Sequence, residues 1–122
     1  MNNKVNPGDV FLAHNKYMYP PKDKFHLCIN EKMYFLINTK PAIYSYIITP
    51  EDCSFLTHDS HINCGSIRIE PIKHFNIIKK EQLSKRALLG LIKKVECVPT
   101  LTKNQKEIVI SELQQVLIDK KI

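Results

Sequence analysis

The sequence predicts a mainly β chain of the α+β class, forming a small antiparallel β-barrel followed by two C-terminal helices. Short strand-like runs alternate with turn signals from Asp9 to Ile78, and helical periodicity replaces them from Ser84 onward. The 122 residues, 43% of them hydrophobic and 25% charged, suit one domain over residues 1–122 with a single core. An open antiparallel sheet with the helices on one face is the alternative architecture.

Turn residues divide the first part of the chain into strands. The turn Asn6-Pro7-Gly8 precedes a first strand over Asp9–Ala13. A polar, aromatic loop follows from His14 to Asp23, and its Pro20-Pro21 pair excludes it from the interior of a sheet. A hairpin is predicted next, with a tight turn at Asn30-Glu31-Lys32 between the strands Phe25–Ile29 and Met33–Ile37.

The later strands are bounded by prolines and polar residues. The run Ala42–Thr49 is rich in tyrosine and isoleucine and stops at Pro50, where Thr49 is placed to cap a single helical turn. Alternating apolar and polar residues predict a further strand over Ser66–Glu70. The segment His74–Ile78 adds a short one.

Two amphipathic helices end the chain. Ser84 is a good N-cap for the first helix, which Pro99 terminates. Thr102 and Gln105 form a capping-box pattern for the second helix, which reaches about Leu117. The residues predicted to be buried are Ala87, Leu88, Leu91, Ile92 and Val95 in the first helix and Val109, Leu113, Val116 and Leu117 in the second.

The cysteine pattern and the absence of long apolar runs indicate a cytoplasmic protein. Four cysteines stand 25, 11 and 33 residues apart with no Cys-x-x-Cys pair, so zinc-ribbon spacing is absent and reduced, mostly buried thiols are expected. No run approaches the roughly 18 apolar residues of a membrane span. The polar start Met1-Asn2-Asn3-Lys4 shows no signal peptide, so the mature chain is expected to be the whole chain.

The net charge of +6 and the isoelectric point near 9.2 allow a polyanionic partner. The excess is C-terminal, because residues 1–78 hold eight basic and seven acidic side chains whereas residues 79–122 hold ten and five. A solvated lysine-rich face on the two helices explains this excess more simply than a polyanion site does.

Three short polar clusters sit at the ends of the predicted strands. They are Lys22-Asp23-Lys24-Phe25-His26 at the start of the hairpin, Asn38-Thr39-Lys40 at its end, and Thr57-His58-Asp59-Ser60-His61 before the later strand. Strand ends that follow one another often lie at the same rim of a small barrel. The three clusters are therefore expected to converge.

Such a convergence would supply the groups for metal-free RNA cleavage. Lys24 offers a positive charge for a phosphoryl group, and His26 and His58 are candidates for proton transfer near neutral pH. The hydroxyls of Thr39 and Ser60 suit hydrogen bonds to a phosphate oxygen or to an attacking ribose 2′-hydroxyl. This scheme requires no cofactor. Each of these residues, taken singly, is also common at a solvent-exposed strand end or in a turn.

The segment Asn6–Leu12 resembles the Pro-Gly-Asp-(Ile/Val)-aromatic opening of MazF/PemK-like toxins, which belong to type II toxin–antitoxin systems. The resemblance implies an SH3-like barrel, endoribonuclease activity, a homodimer, and an acidic antitoxin protein that occupies the RNA groove. Thr39 matches the family's Thr or Ser after the third strand. The family's Arg-Pro at the start of the second strand is replaced here by Lys24-Phe25-His26.

The leading hypothesis is a cytoplasmic, metal-independent endoribonuclease that cleaves single-stranded RNA through attack of the 2′-hydroxyl. Its catalytic residues would be Lys24, His26, Thr39, His58 and Ser60, and its RNA-binding residues Lys22, Lys40, Lys85 and Arg86. The alternative is a non-catalytic barrel that binds nucleic acid or a protein, in part through Lys85, Arg86, Lys93 and Lys94. A metal site around His58 and His61 is a third possibility.

Overall fold

A computed structural model describes residues 4–119 of the chain. These residues form seven strands, one short 3-10 helix at Ile72–His74, and two α-helices. The strands are β1 (Asp9–Asn15), β2 (Lys22–Asn30), β3 (Met33–Asn38), β4 (Ser45–Ile48), β5 (Ser60–Asn63), β6 (Arg68–Ile69) and β7 (Ile77–Gln82). The helices are α1 (Lys85–Glu96) and α2 (Lys103–Asp119).

The strands form one antiparallel sheet in the order β4-β5-β3-β2-β1-β7, and β6 pairs with the beginning of β3. The central register aligns Val10 of β1 with Leu27 of β2, and Leu27 with Phe35 of β3. The prediction of a mainly β, α+β chain that ends in two helices is confirmed. The sheet is not closed within residues 4–119, because its outer strands β4 and β7 do not pair with each other.

Both faces of the sheet are covered by packed side chains. Successive residues of a strand point to opposite sides, so one strand contributes to both cores. In β2, Leu27 and Ile29 pack into the main core beneath α1 and α2, whereas Cys28 packs into a smaller core on the other face. The smaller core also contains Phe11, Tyr34 and the loop residues Ile72 and Phe75. Whether a side chain of β2 reaches solvent therefore depends on where along the strand it lies.

The two helices begin at the caps that the sequence predicts. The Ser84 hydroxyl accepts a hydrogen bond from the Ala87 amide at 3.1 Å. The Gln105 amide donates to the Thr102 hydroxyl at 3.1 Å, and the Gln105 side-chain oxygen accepts from the Thr102 amide at 2.9 Å. This reciprocal pair satisfies donors that a helix start otherwise leaves free. All nine residues predicted to be buried in the helices are buried.

The turn at the beginning of β1 has a structural role. Gly8 adopts a φ of 84°, which a glycine adopts without strain. Its amide donates to the Cys28 carbonyl at 2.9 Å and its carbonyl accepts from the Leu83 amide at 2.9 Å. The Asp9 carboxylate accepts from the Asn6 amide at 2.9 Å. This turn therefore ties β1 to β2 and to the end of β7.

Several predicted strand boundaries are wrong. β2 begins at Lys22 and so includes the polar cluster that was expected to precede it, and β4 covers only Ser45–Ile48. β5 was not predicted as a strand, because three of its four residues are polar and only Ile62 lies in the main core. The strand expected over Ser66–Glu70 is reduced to β6, and the last strand begins later than predicted.

The four cysteines are free thiols, three of them buried. Burial raises the pKa of Cys28 and of Cys64 to about 12 and that of Cys53 to about 11. These three thiols are therefore unreactive packing groups near neutral pH.

Between residues 4 and 119, neither helix has the length and apolar character needed to cross a membrane.

Gly90 of α1 lies against the ring of Tyr46 in β4. A Cβ atom at Gly90 would come within 2.5 Å of Tyr46 Cζ, so Gly90→Ala must displace a rigid ring. We expect this change to lower the free energy of unfolding by about 1–3 kcal/mol. In a Tyr46→Leu background the clash is gone, and the same change should raise the free energy of unfolding by up to about 1 kcal/mol through helix propensity.

Urea denaturation of the four proteins in this cycle measures both effects. A similar destabilisation by Gly90→Ala in both backgrounds would show that the packing of Tyr46 does not require glycine.

Candidate functional site

A cleft of about 800 Å³ lies where the three polar clusters of the sequence meet. The beginning of β2, the end of β3 and the segment leading into β5 form its walls. Four lysines and three hydroxyl side chains line it, namely Lys22, Lys24, Lys40, Lys79, Thr39, Thr57 and Ser60, together with His58. The structure thus brings together four of the five predicted catalytic residues and two of the four predicted RNA-binding residues.

Lys24 is the most constrained cation of the cleft. It is half-buried in β2, and its Nζ donates to Asn38 Oδ1 of β3 at 2.5 Å. Burial lowers the pKa of Lys24, and the nearby charge of Lys22 lowers it further. Within residues 4–119 the ammonium group makes no ion pair with a carboxylate. An anion that enters the cleft would therefore supply the counter-charge that Lys24 lacks.

The lining of the cleft is strongly cationic. Asp23 is the one acidic residue among those that line it. Its Oδ1 lies 3.1 Å from Nδ1 of His14, which is a neighbour across the β1–β2 pair. The carboxylate is thus directed to β1, and the four lysines dominate the charge of the cleft.

The hydroxyl and imidazole groups of the cleft come from the end of β3 and from the segment that leads into β5. Ser60 is buried at the start of β5, and its hydroxyl donates to the His58 carbonyl at 3.4 Å. The His58 ring is exposed, with Nδ1 3.0 Å from the Thr57 hydroxyl. Thr39 is exposed at the end of β3. The cleft therefore offers three hydroxyls and one imidazole to a ligand held by the lysines.

His26 does not belong to this site, contrary to the prediction. It is fully buried on the other face of the sheet, because it alternates along β2 with Phe25, which lines the cleft. Its ring stacks on Phe11 at a centroid distance of 4.6 Å and packs edge-on against Tyr34. A side chain with no exposed surface cannot exchange protons with RNA in the cleft.

The hydrogen bonds of His26 favour a neutral ring. Its Nε2 lies 3.1 Å from the side-chain nitrogen Nδ2 of Asn15. That nitrogen can only donate, so Nε2 is an acceptor. Its Nδ1 lies 3.4 Å from the Phe11 carbonyl, which accepts. Burial lowers the pKa of His26 to about 4, although the Phe11 carbonyl opposes that shift. His26 is a structural histidine of the smaller core.

Two predicted RNA-binding residues, Lys85 and Arg86, lie outside the cleft at the start of α1. Arg86 instead binds the buried carboxylate of Asp52, to which its Nε donates at 3.1 Å and its Nη2 also donates. The Ser84 hydroxyl donates to the same carboxylate at 2.6 Å. Burial raises the pKa of Asp52, but these hydrogen bonds outweigh burial and hold the pKa below its usual value. Arg86 therefore anchors the loop before β5 to α1.

The third possibility, a metal site around His58 and His61, finds no support in the geometry. No group of three potential ligands from His, Cys, Asp and Glu occurs in the part of the chain that the structure describes. His61 follows Ser60 in β5 and points to the opposite face from it, and its buried Nδ1 has no hydrogen-bond partner.

The cleft also has an apolar end that the sequence did not indicate. Phe25 of β2 stacks on Phe55 at a centroid distance of 5.6 Å and an interplanar angle of 13°. The Lys79 ammonium lies 5.1 Å from the centroid of Phe55. Ile37 and Leu56 complete this end of the lining. Phe55 stands in an irregular loop without apolar periodicity, so no sequence signal assigned it to the site.

Comparison of the chain with protein-family models, with curated proteins and with solved structures gave no match. The functional assignment therefore depends on the residues of the cleft and on the resemblance at Asn6–Leu12.

Proposed function

We propose that the chain is a metal-independent endoribonuclease that binds single-stranded RNA in the cationic cleft. The observation that carries this proposal is the half-buried Lys24 ammonium, which has no carboxylate partner within residues 4–119 and lies among three further lysines. A cleft with this charge favours a polyanion, and RNA phosphates supply the missing counter-charge. Lys22 and Lys40 are assigned to phosphates on either side of the scissile one.

The proposed reaction is attack of a ribose 2′-oxygen on the adjacent phosphorus. The O2′–P bond forms and the P–O5′ bond breaks, leaving a 2′,3′-cyclic phosphate and a 5′-hydroxyl. Lys24 stabilises the negative charge that grows on the phosphoryl oxygens. Thr39 and Ser60 hydrogen-bond the phosphate. His58 is the one imidazole among the lining residues; it protonates the departing 5′-oxygen, while the proton of the 2′-hydroxyl passes to water.

The finer identity of the protein is part of the same proposal. The Pro7-Gly8-Asp9 turn supports an SH3-like barrel of the MazF/PemK type, although its hydrogen bonds serve the fold and do not reach the cleft. A cytoplasmic toxin, a homodimer and an acidic antitoxin that competes with RNA are the corresponding expectations. An acidic segment suits the four lysines for the same electrostatic reason as RNA does.

The burial of His26 favours a second candidate, a domain that binds RNA in this cleft without cleaving it. Because His26 is buried outside the cleft, His58 is the one histidine among the lining residues that could transfer a proton. In that case the lysines and hydroxyls bind the RNA backbone, and the RNA is recovered intact.

Cleavage of a single-stranded RNA in the presence of a metal chelator tests the proposal. Lys24→Ala should slow cleavage about a hundredfold, the cost of losing one preorganised group that stabilises developing negative charge. Lys103→Ala, which removes an exposed lysine of α2, is the matched control and should leave the rate unchanged. Equal rates for the two variants would refute the assignment of Lys24, and intact RNA with the unaltered protein would favour the binding function.

A further inference from the structure

We infer that the apolar end of the cleft is a stacking site for a nucleobase, with Phe55 as the residue that recognises it. This inference rests on the proposed function, because it assumes that the ligand of the lysines is RNA. It goes further by assigning the base of a bound nucleotide to a definite group of side chains. It also gives Phe55 a role in binding in addition to its packing on the main core.

The cleft combines two chemistries that a phosphate alone would not use. Lys24 and the hydroxyls form its polar part, whereas Phe25, Phe55, Ile37 and Leu56 form its apolar part. Its volume of about 800 Å³ lies within the range of sites that hold small organic ligands. A nucleotide matches both parts at once, with its phosphate on the lysines and its base on the apolar end.

The aromatic pair has the geometry of a stacking platform. Phe25 and Phe55 are both half-buried and nearly parallel, with an interplanar angle of 13°. Flat aromatic side chains beside cationic groups bind successive bases of single-stranded nucleic acids, and one such stack contributes about 1–3 kcal/mol. The Lys79 ammonium lies over the Phe55 ring, 5.1 Å from its centroid, so a base that stacks on that face displaces this cation–π contact and leaves the ammonium group free for the phosphate of the same nucleotide.

The aromatic pair, and not the charge of the lining, favours a nucleotide over an acidic peptide as the occupant. A peptide side chain would bring its carboxylate to the lysines but would present no flat ring to the parallel phenylalanines. A base presents a π-face of similar size, and every base has one. The site is therefore expected to bind all four bases, with preferences set by stacking strength.

Equilibrium binding tests the inference without depending on catalysis. The probe is a short 2′-O-methyl RNA, which lacks the attacking hydroxyl, and a second probe of the same length has abasic residues throughout. Phe55→Leu keeps an apolar side chain but removes the ring. It should weaken binding of the base-containing probe about tenfold, within the range expected for one base stack, and leave binding of the abasic probe unchanged.

The matched control is Phe75→Leu, which makes the same change in the smaller core on the other face of the sheet. It should leave the affinity for both probes unchanged, and thermal unfolding should show that both variants are folded. Equal loss of affinity for both probes in Phe55→Leu, or no loss for either, would overturn the stacking site.

These outcomes are distinguishable from those of the cleavage assay. A protein that binds bases through Phe55 and leaves RNA intact would retain the stacking site and refute the nuclease. A protein that cleaves RNA but binds abasic and base-containing probes equally would retain the nuclease and refute the stacking site.

Discussion

Lowering the pH from 7 to 4 should remove about 3 kcal/mol from the free energy of unfolding through His26 alone. The pKa of this buried ring is lowered from 6.5 to about 4. Between these values the unfolded chain binds a proton that the folded protein does not, so stability falls by about 1.4 kcal/mol for each pH unit. Above about pH 7 both states are neutral at this position, and the contribution is constant.

His26→Phe isolates this effect from the titration of the carboxylates. A phenyl ring retains the stack on Phe11 and the contact with Tyr34 but has no proton to bind. Urea denaturation of the two proteins should show that the free energy of unfolding of the unaltered protein, relative to that of His26→Phe, falls by about 3 kcal/mol between pH 7 and pH 4. Parallel curves over this range would show that folding does not change the pKa of His26, and would contradict the prediction. Because His26 lies outside the cleft, this variant should retain RNA binding.

Asn38→Asp should weaken RNA binding at least about tenfold while leaving the shape of the cleft unchanged. The new carboxylate would replace the amide oxygen that lies 2.5 Å from Lys24 Nζ. It would pair with the ammonium group and raise the pKa of Lys24, and it would repel an approaching phosphate. At such a distance the interaction of two unit charges near a surface is a few kcal/mol, enough for this loss.

Asn76→Asp provides the matched control, since it makes the same charge change in a separate cleft beside Lys73. Its effect on the affinity should be small. Binding measured at several salt concentrations should also show a shallower salt dependence for Asn38→Asp, because one fewer phosphate contact releases counterions. Equal affinities for the two variants would mean that the anion site does not include Lys24.

The features predicted well from the sequence are those that depend on neighbouring residues. The caps at Ser84 and Thr102 use hydrogen bonds that span three residues, so the local pattern contains all the required groups. The hairpin of β2 and β3 is similarly local. The position of the cleft followed from chain order, because the polar end of β2 and the polar end of β3 are neighbours across this hairpin.

The features missed depend on which face of the sheet a residue occupies. The run Phe25–Ile29 is apolar on both faces except at His26, so nothing in the sequence shows that the ring points into a second core. That core is formed by loop residues such as Ile72 and Phe75, which lie far away in the chain. Phe55 joins the cleft from an irregular loop for the same non-local reason.

The pairing of Arg86 with Asp52 shows a related limit. A basic residue at the start of an exposed helix is usually solvated, and the sequence gives no sign that a buried carboxylate lies beside it. Asp52 is buried because the loop before β5 packs under α1, an arrangement set by the tertiary structure. The C-terminal charge excess is therefore a poor guide to the proposed anion site, whose lysines lie mostly in the strand region.

Identification of the RNA ends after incubation with the protein in chelator tests the central claim most directly. Mass spectrometry of the fragments should find 2′,3′-cyclic phosphate and 5′-hydroxyl termini, and the same fragments should be strongly reduced with Lys24→Ala. This result would establish attack by the 2′-hydroxyl in a cleft organised by Lys24. Intact RNA, fragments with 3′-hydroxyl ends, or undiminished cleavage by the Lys24→Ala protein would contradict it.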